Sequence, residues 1–437
     1  MKRFLLVVMC MVGQSLALAQ GASERLLSLE MALAEVETAN LSALAAREGL
    51  EQAVEGVRQS RAGLLPSAKL VAGQSRNQSV TVGLGLERFG ASRQSDPYSR
   101  AHGGLEVDVP LINLTSFARY RDAKYVAEIS EFEYAAALED IKLAVAKSFV
   151  GALRSQELLE LADATLARSE KLRKLVEDRL GAGSATPIDL MRAKLEVTSS
   201  RQGKLEAETQ LFESLQQLKL LLGLDLDAEI RLLGFPLETA EGLPREPNVR
   251  LDDVLSQRED YLVHLTEEDR DKLLVRAAGW QRLPSLDLYG NFGYVSEEAF
   301  DGEEDEDWSL GISVSVPLFE GFETKAEKAI AESRVRAAAY RLRDAELQIG
   351  NEVAVFWKRL LMQEQSLVLG EEALELAETS YRLALDRFKN GATDNRELIE
   401  SQLALNSAES NLSDQRLLVS LSRLEFASVC GAVENAL

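Results

Sequence analysis

The stretch Ser309–Ala329, SLGISVSVPLFEGFETKAEKA, changes its period partway along. Up to Pro317 the residues alternate. Leu310, Ile312, Val314 and Val316 fall on one side and Ser309, Gly311, Ser313 and Ser315 on the other, which is the spacing of a strand with one apolar face. From Thr324 to Ala339 the alternation gives way to a charged, alanine-rich run of helical character. A strand that feeds a long helix through VPLFEG therefore decides the fold.

The same plan occurs earlier, in Gly103–Tyr125, GGLEVDVPLINLTSFARYRDAKY. Each copy has an alternating strand, a VPL triplet (Val109-Pro110-Leu111 and Val316-Pro317-Leu318), a turn and a charged helix, with the prolines roughly 207 positions apart (317 minus 110). Two glycine turns keep nearly the same offset: Arg179–Gly183 before Ile188-Asp189-Leu190, and Arg387–Gly391 before Arg396-Glu397-Leu398, with glycines roughly 208 apart (391 minus 183). Leu65-Pro66-Ser67 and Leu283-Pro284-Ser285 each open a strand. Matched features in the same order predict an internal duplication. The expected layout is a first repeat over 20–232, an irregular connector over 233–256 with Pro236, Pro244 and Pro247, and a second repeat over 257–437.

Within each repeat the pattern predicts helix, strand, strand, long helix, turn, helix. Helices are expected over 29–64, 116–180 and 187–222 in the first repeat, and up to 281, over 323–388 and over 395–429 in the second. Barrel-type strands are expected near 68–111 and 286–318.

The amino terminus indicates export. Lys2 and Arg3 precede an apolar run from Phe4 to Val12, and Ala17-Leu18-Ala19 suits cleavage before Gln20, so residues 1–19 read as a signal peptide. The run is short of the ~20 residues a membrane-spanning helix needs. Cys10 follows Val7-Val8-Met9 rather than small residues, which argues against lipidation. After cleavage Cys430 is the one cysteine, so neither a disulfide framework nor a CxxC site is expected. His102 and His264 fit no ligand spacing and read as surface or loop residues. A net charge of −22 argues against a nucleic-acid partner.

The strands carry the membrane argument. Leu105, Val107, Val109 and Leu111 alternate with Glu106 and Asp108, while Leu286, Leu288, Phe292 and Tyr294 alternate with Asp287, Tyr289 and Asn291. This pattern fits a barrel with lipid outside and water inside, and equally a half-buried soluble sheet. The helices favour the barrel. A run of about 65 residues at 1.5 Å each is roughly 100 Å, too long for a globular core. Its end carries Ala373, Ala377, Tyr381, Ala384 and Phe388 at coiled-coil-like steps. Four strands cannot close a barrel alone, since transmembrane barrels start at about eight, so several chains must share one.

Together the duplicated plan, VPL before FEGFETKAE, the turns RLGAGSATPIDL and RFKNGATDNREL, and Gln257-Arg258-Glu259-Asp260 resemble the TolC-like outer-membrane efflux protein family over almost all of the mature chain. The resemblance implies a mixed α and β membrane protein. Three chains would build a 12-stranded β-barrel, four strands from each, continuous with a long α-helical periplasmic tunnel. It also implies a passive channel of a tripartite efflux or type I secretion system, needing no cofactor, with a periplasmic adaptor, an energised inner-membrane pump and outer-membrane lipid as partners. Glu259 departs from the proline that relatives commonly carry.

The resemblance also assigns a site. The turns around Gly183 and Gly391 would lie at the periplasmic tip where adaptors dock. Glu397 and Glu400 match acidic positions lining the constriction, and Asp189 and Phe388 match positions in the closing network. Three copies would then place six carboxylates in a narrow pore, favouring cations. The plainer alternative is a set of solvated helix residues. Thr393 stands where relatives use an arginine to hold the closed state, leaving Arg396 as an open substitute.

The acidic run 297–307 reads as an extracellular loop, either solvated or a binder of divalent ions, though it lacks the Asp-x-Asp-x-Asp-Gly ligand order. No phosphate loop, HExxH or serine elbow points to an enzyme. A periplasmic coiled-coil adaptor or scaffold is the remaining alternative. It would explain the helices and export but not the duplicated strands.

Overall fold

A computed structural model describes residues 25–78, 97–234, 250–297 and 305–431. Residues 1–24, where the leader is expected, all three connector prolines and residues 298–304 of the acidic run lie outside these. The elements, in order, are β1 (Arg25–Leu27), α1 (Leu29–Ala39), α2 (Leu41–Ala62), β2 (Ser67–Asn77), β3 (Tyr98–Ile112), α3 (Leu114–Gly181) and α4 (Pro187–Leu221). Then follow β4 (Ile230–Leu232), α5 (Leu251–Leu255), α6 (Glu259–Trp280), β5 (Ser285–Ser296), β6 (Asp305–Ser315), α7 (Glu323–Lys389) and α8 (Asn395–Val429).

Helix α3 has 68 residues and α7 has 67, while α4 and α8 have 35 each. The chain divides into two compact units. The first comprises residues 1–45, 137–257 and 349–437, and the second residues 46–136 and 258–348.

The second unit contains a four-stranded antiparallel sheet in the order β2-β3-β5-β6, so the two hairpins meet at β3 and β5. β6 ends at Ser315, ahead of Val316, because the Pro317 that follows has no N–H for a ladder. Arg270 of α6 holds Asp122 of α3 at 2.6 Å in this unit.

The first unit is built from the four helices α3, α4, α7 and α8, with β1, α1 and β4 packed on them. β1 and β4 form a short parallel pair. Leu27, Val36, Phe149, Leu218, Leu222 and Leu424 make its principal apolar core. Polar pairs fix the helix neighbours: Ser155 and Ser214 join α3 to α4 at 2.9 Å, Arg168 and Glu409 join α3 to α8 at 2.5 Å, and Arg423 and Glu364 join α8 to α7 at 3.1 Å.

Two differences from the sequence reading have physical causes. The helix expected over 29–64 is broken at Asn40, which caps both segments. Its N–H donates to the Val36 carbonyl at 3.1 Å, its Oδ1 accepts from the Ala43 N–H at 2.9 Å, and its Nδ2 donates to the Leu221 carbonyl at 2.5 Å. The β1–β4 pair was missed because three-residue strands carry no measurable alternation. The surface reading of the histidines holds: His102 is exposed on β3, and His264 is half-exposed on α6 beside Glu267 at 3.1 Å.

Candidate functional site

In the second unit, the sheet's register separates its two faces. Leu70, Leu105, Phe292 and Trp308 are successive cross-strand partners, and so are Ala68, Val107, Gly290 and Leu310. Partners share a face, so one side is almost wholly apolar. It is exposed: Leu70, Leu105, Phe292, Trp308, Leu310, Ile312 and Val314 all lie open. The offset rows are polar, as in Lys69, Glu106, Asn291 and Ser309, and Lys69 pairs with Glu106 at 2.7 Å. A sheet with an uncovered apolar face and a salt-bridged face has the polarity of a wall between lipid and water. Among the described residues its outer strands, β2 and β6, have no partner on their free edges. Among the described residues no helix is long and apolar enough to cross a membrane.

In the first unit, the two glycine turns close α3 and α7 in the same way. Gly183 and Gly391 both have φ 74°, a left-handed conformation that costs glycine nothing. Around the first, the Gly183 N–H donates to Leu180 O at 3.0 Å and the Ser184 N–H to Arg179 O at 2.8 Å. Around the second, Gly391 donates to Phe388 O at 3.0 Å and Ala392 to Arg387 O at 2.9 Å. These are paired Schellman ends that satisfy carbonyls the helices would otherwise leave open.

The helices that follow are capped differently. Thr186 and Asp189 form a capping box at the start of α4, with Pro187 in the first turn. Asp189 Oδ2 accepts from the Thr186 N–H at 2.9 Å and from its hydroxyl at 2.6 Å. The Thr186 hydroxyl, then its backbone N–H, hold the Asp189 carboxyl below its usual range. At α8 Asp394 caps the N–H groups of Arg396 and Glu397. That leaves the Glu397 carboxylate to take Arg387 at 2.6 Å and the Thr393 hydroxyl. Glu400 pairs with Arg396 at 2.8 Å.

The structure brings the two turns together. Phe388 is only 3% exposed, in a cluster with Leu172, Val176, Ala193, Ala384 and Leu398. The Arg179 guanidinium lies 4.5 Å from the centre of its ring and donates to its carbonyl. Asn395, 1% exposed, donates from Nδ2 to the Asp189 carbonyl at 2.7 Å. Phe388 and Asp189 are thus joined to the opposite hairpin by side chains the sequence reading passed over, Arg179 and Asn395. Arg179 stands four positions before Gly183, as Arg387 does before Gly391, but the two reach different partners. Glu397 and Glu400 stay partly exposed, each beside its own arginine. Among the described residues there is no cluster of three or more metal-ligating acidic, histidine or cysteine side chains.

The family model for outer membrane efflux proteins matches residues 30–224 and 251–432. The chain is 25% identical over 374 residues to the alkaline protease secretion protein AprF of Pseudomonas aeruginosa, covering 84% of this chain and 77% of the relative. It is 25% identical over 400 residues to the outer membrane protein TolC of Vibrio cholerae, covering 88% and 86%. Among solved structures, the CmeC outer membrane channel of Campylobacter jejuni superposes with a TM-score of 0.79 at 18% identity, over 93% of this chain and 86% of that one. VceC of Vibrio cholerae gives 0.76 at 18%, over 92% and 96%. The chain therefore has the fold of these outer membrane channels, which the adaptor or scaffold alternative does not accommodate.

Proposed function

This chain belongs to the outer membrane efflux protein family, and from that premise we propose that three copies close one channel through which cargo passes from periplasm to exterior. The family is one of transport channels in the outer membrane rather than a class of enzymes. The observation that carries the assembly is the open-edged sheet. Lipid tolerates no unpaired strand edge, so β2 and β6 must find partners outside the chain. Each neighbouring pair in the order β2-β3-β5-β6 is antiparallel, so β6 runs opposite to β2. β6 of one copy beside β2 of the next therefore continues the same ladder around a ring. Two copies would give an eight-stranded barrel, narrow enough to be filled by side chains, whereas three leave a water-filled lumen.

The helices support the same closure. Val355, Met362, Leu369, Leu376 and Leu383 recur every seven residues along α7 and are all exposed. On α4, Ile188, Met191, Leu195, Leu205 and Phe212 make a similar exposed seam. Heptad seams left open on the two outer helices are suited to α4 of one copy packing on α7 of the next.

In this reading Gly183 and Gly391 mark the tip turns where an adaptor docks, Asp189 and Phe388 belong to the contact that holds the tip shut, and Glu397 and Glu400 line the constriction. An adaptor and an energised inner-membrane pump would open it by binding the open arrangement more tightly. AprF is a protease secretion protein, which makes protein cargo one candidate beside small molecules. Single-channel conductance in planar bilayers tests the proposal. Discrete ion-conducting steps are expected, and purified protein that inserts without conducting contradicts it.

A further inference from the structure

The internal duplication lets each long helix be compared with its own copy. At the offset of roughly 208 that relates the two glycine turns (391 minus 183), positions 147, 154, 161, 168 and 175 of α3 fall on 355, 362, 369, 376 and 383 of α7. Each set is a heptad series along one edge of a helix. Their residues differ. On α7 they are Val355, Met362, Leu369, Leu376 and Leu383, all exposed. On α3 they are Lys147, Arg154, Leu161, Arg168 and Leu175, all half-buried.

The α3 edge is half-buried because α8 covers it with groups of opposite charge. Lys147 meets Glu425 at 2.7 Å, Arg154 meets Asp414, and Arg168 holds Glu409 through two bonds, from Nη1 at 2.9 Å and from Nη2 at 2.5 Å. In all three pairs the base stands on α3 and the acid on α8. Glu425 also takes Arg359 of α7 at 3.2 Å. Serines complete this edge of α8: the buried Ser413 donates to Glu157 of α3 at 2.8 Å, and Ser420 is buried one heptad further on. The same offset places Leu205 and Phe212 of α4 at these two serines, and both are exposed. Stability alone does not explain the charges, since apolar residues of similar size often serve a buried joint as well or better.

We propose that this difference sorts the helix joints of the assembled ring. Each chain carries a charged pair of edges, α3 with α8, satisfied within the chain, and an apolar pair, α4 with α7, satisfied by the next copy. The two kinds cannot be exchanged. An α3 edge laid on an α7 would strip Lys147, Arg154 and Arg168 of water without supplying a carboxylate, and α8 laid on α4 would do the same to its acids. Two hairpins built on one plan are thereby kept from taking each other's places, and copies add in one order only. The inference rests on the reading that α4 of one copy packs on α7 of the next.

The test reads which joint forms. Thr165→Cys with Asn406→Cys places a cross-link across the α3–α8 joint, where Thr165 Oγ1 and Asn406 Oδ1 lie 3.3 Å apart. It is made in the full chain in mild detergent, in a Cys430→Ser background. In this parent, oxidation should link α3 to α8 within single chains and leave one native mass. Lys147→Val, Arg154→Met and Arg168→Leu together give α3 the residues of α7. Intrachain linkage should then fall, links between chains should appear on denaturing gels, and the one native mass should spread into several. A single mass with wholly intrachain links in this variant overturns the proposal. Should the triple variant fail to fold, the Arg168–Glu409 pair decides. Arg168→Glu should lose intrachain linkage, and Arg168→Glu with Glu409→Arg should regain it. Loss in both, or in neither, overturns the proposal as well. A parent that forms no assembly rejects instead the shared channel on which the inference rests.

Discussion

Arg179 makes the most consequential contact between the two glycine turns, since one guanidinium both stacks on Phe388 and donates to its carbonyl. A stacked, charge-assisted contact of this kind contributes about 1–3 kcal/mol. Arg179→Ala is expected to loosen the hairpins from one another and raise the open fraction in single-channel recordings. Arg179→Lys should restore little, because an ammonium cannot present a planar fork. Unchanged gating in both variants would remove Arg179 from the closing contact.

The acids make a different prediction. Glu397 and Glu400 each face an arginine, Arg387 and Arg396, so their fields are partly cancelled. Glu397→Ala with Glu400→Ala should weaken cation selectivity without preventing assembly. Arg396→Ala should strengthen it by uncovering Glu400. Reversal potentials in a salt gradient measure both, and an unmoved potential in the first variant would take these residues out of the pore.

Asp189 makes the start of α4 sensitive to pH. Its carboxyl is held low by the Thr186 hydroxyl and N–H, so the folded state favours the charged form. Its stabilisation is complete above the ordinary aspartate value of about 4 and is lost as pH falls through the lower folded value. Pepsin cleavage around residues 183–189 should therefore rise at acid pH in the parent, and Asp189→Asn should lack that extra acid step. The partners of this residue show what sequence alone conveys. The Thr-x-x-Asp spacing from Thr186 to Asp189 announces a capping box, but nothing in the neighbourhood of Asn395 announces the Asp189 carbonyl, 206 positions away.

At the scale of elements, period was the informative signal. The steps of α7 and the alternation of β5 and β6 follow from which side chains must leave water, so both were legible in outline. The break at Asn40 was not, because it depends on the Leu221 carbonyl arriving from α4. Nor was the pairing of β1 with β4, which tertiary contacts alone hold together. The seams on α4 and α7 lead to a test at this level. Leu376 is exposed in the single chain, so Leu376→Asp should leave the helix content of the chain unchanged while weakening association of copies. Circular dichroism and native mass measured together separate the two effects. Lost helicity with association intact would contradict the seam.

At the scale of the whole molecule, the duplicated VPL and glycine turns prescribe a chain that runs through one plan twice, and α4 and α8 begin roughly 208 positions apart (395 minus 187). Identical plans need not have identical ends. Asp189 and Glu397 occupy the same position in their helices, yet one caps its own turn while the other holds an arginine. The two sheet edges left open among the described residues remain the strongest structural demand, because lipid tolerates no unpaired edge. The most direct measurement is the native mass of the full chain extracted from membranes in mild detergent, corrected for bound detergent. The account predicts three copies of a 48.1 kDa chain, less any cleaved leader. A monomer that stays soluble without detergent would contradict both the shared barrel and the lipid-facing sheet.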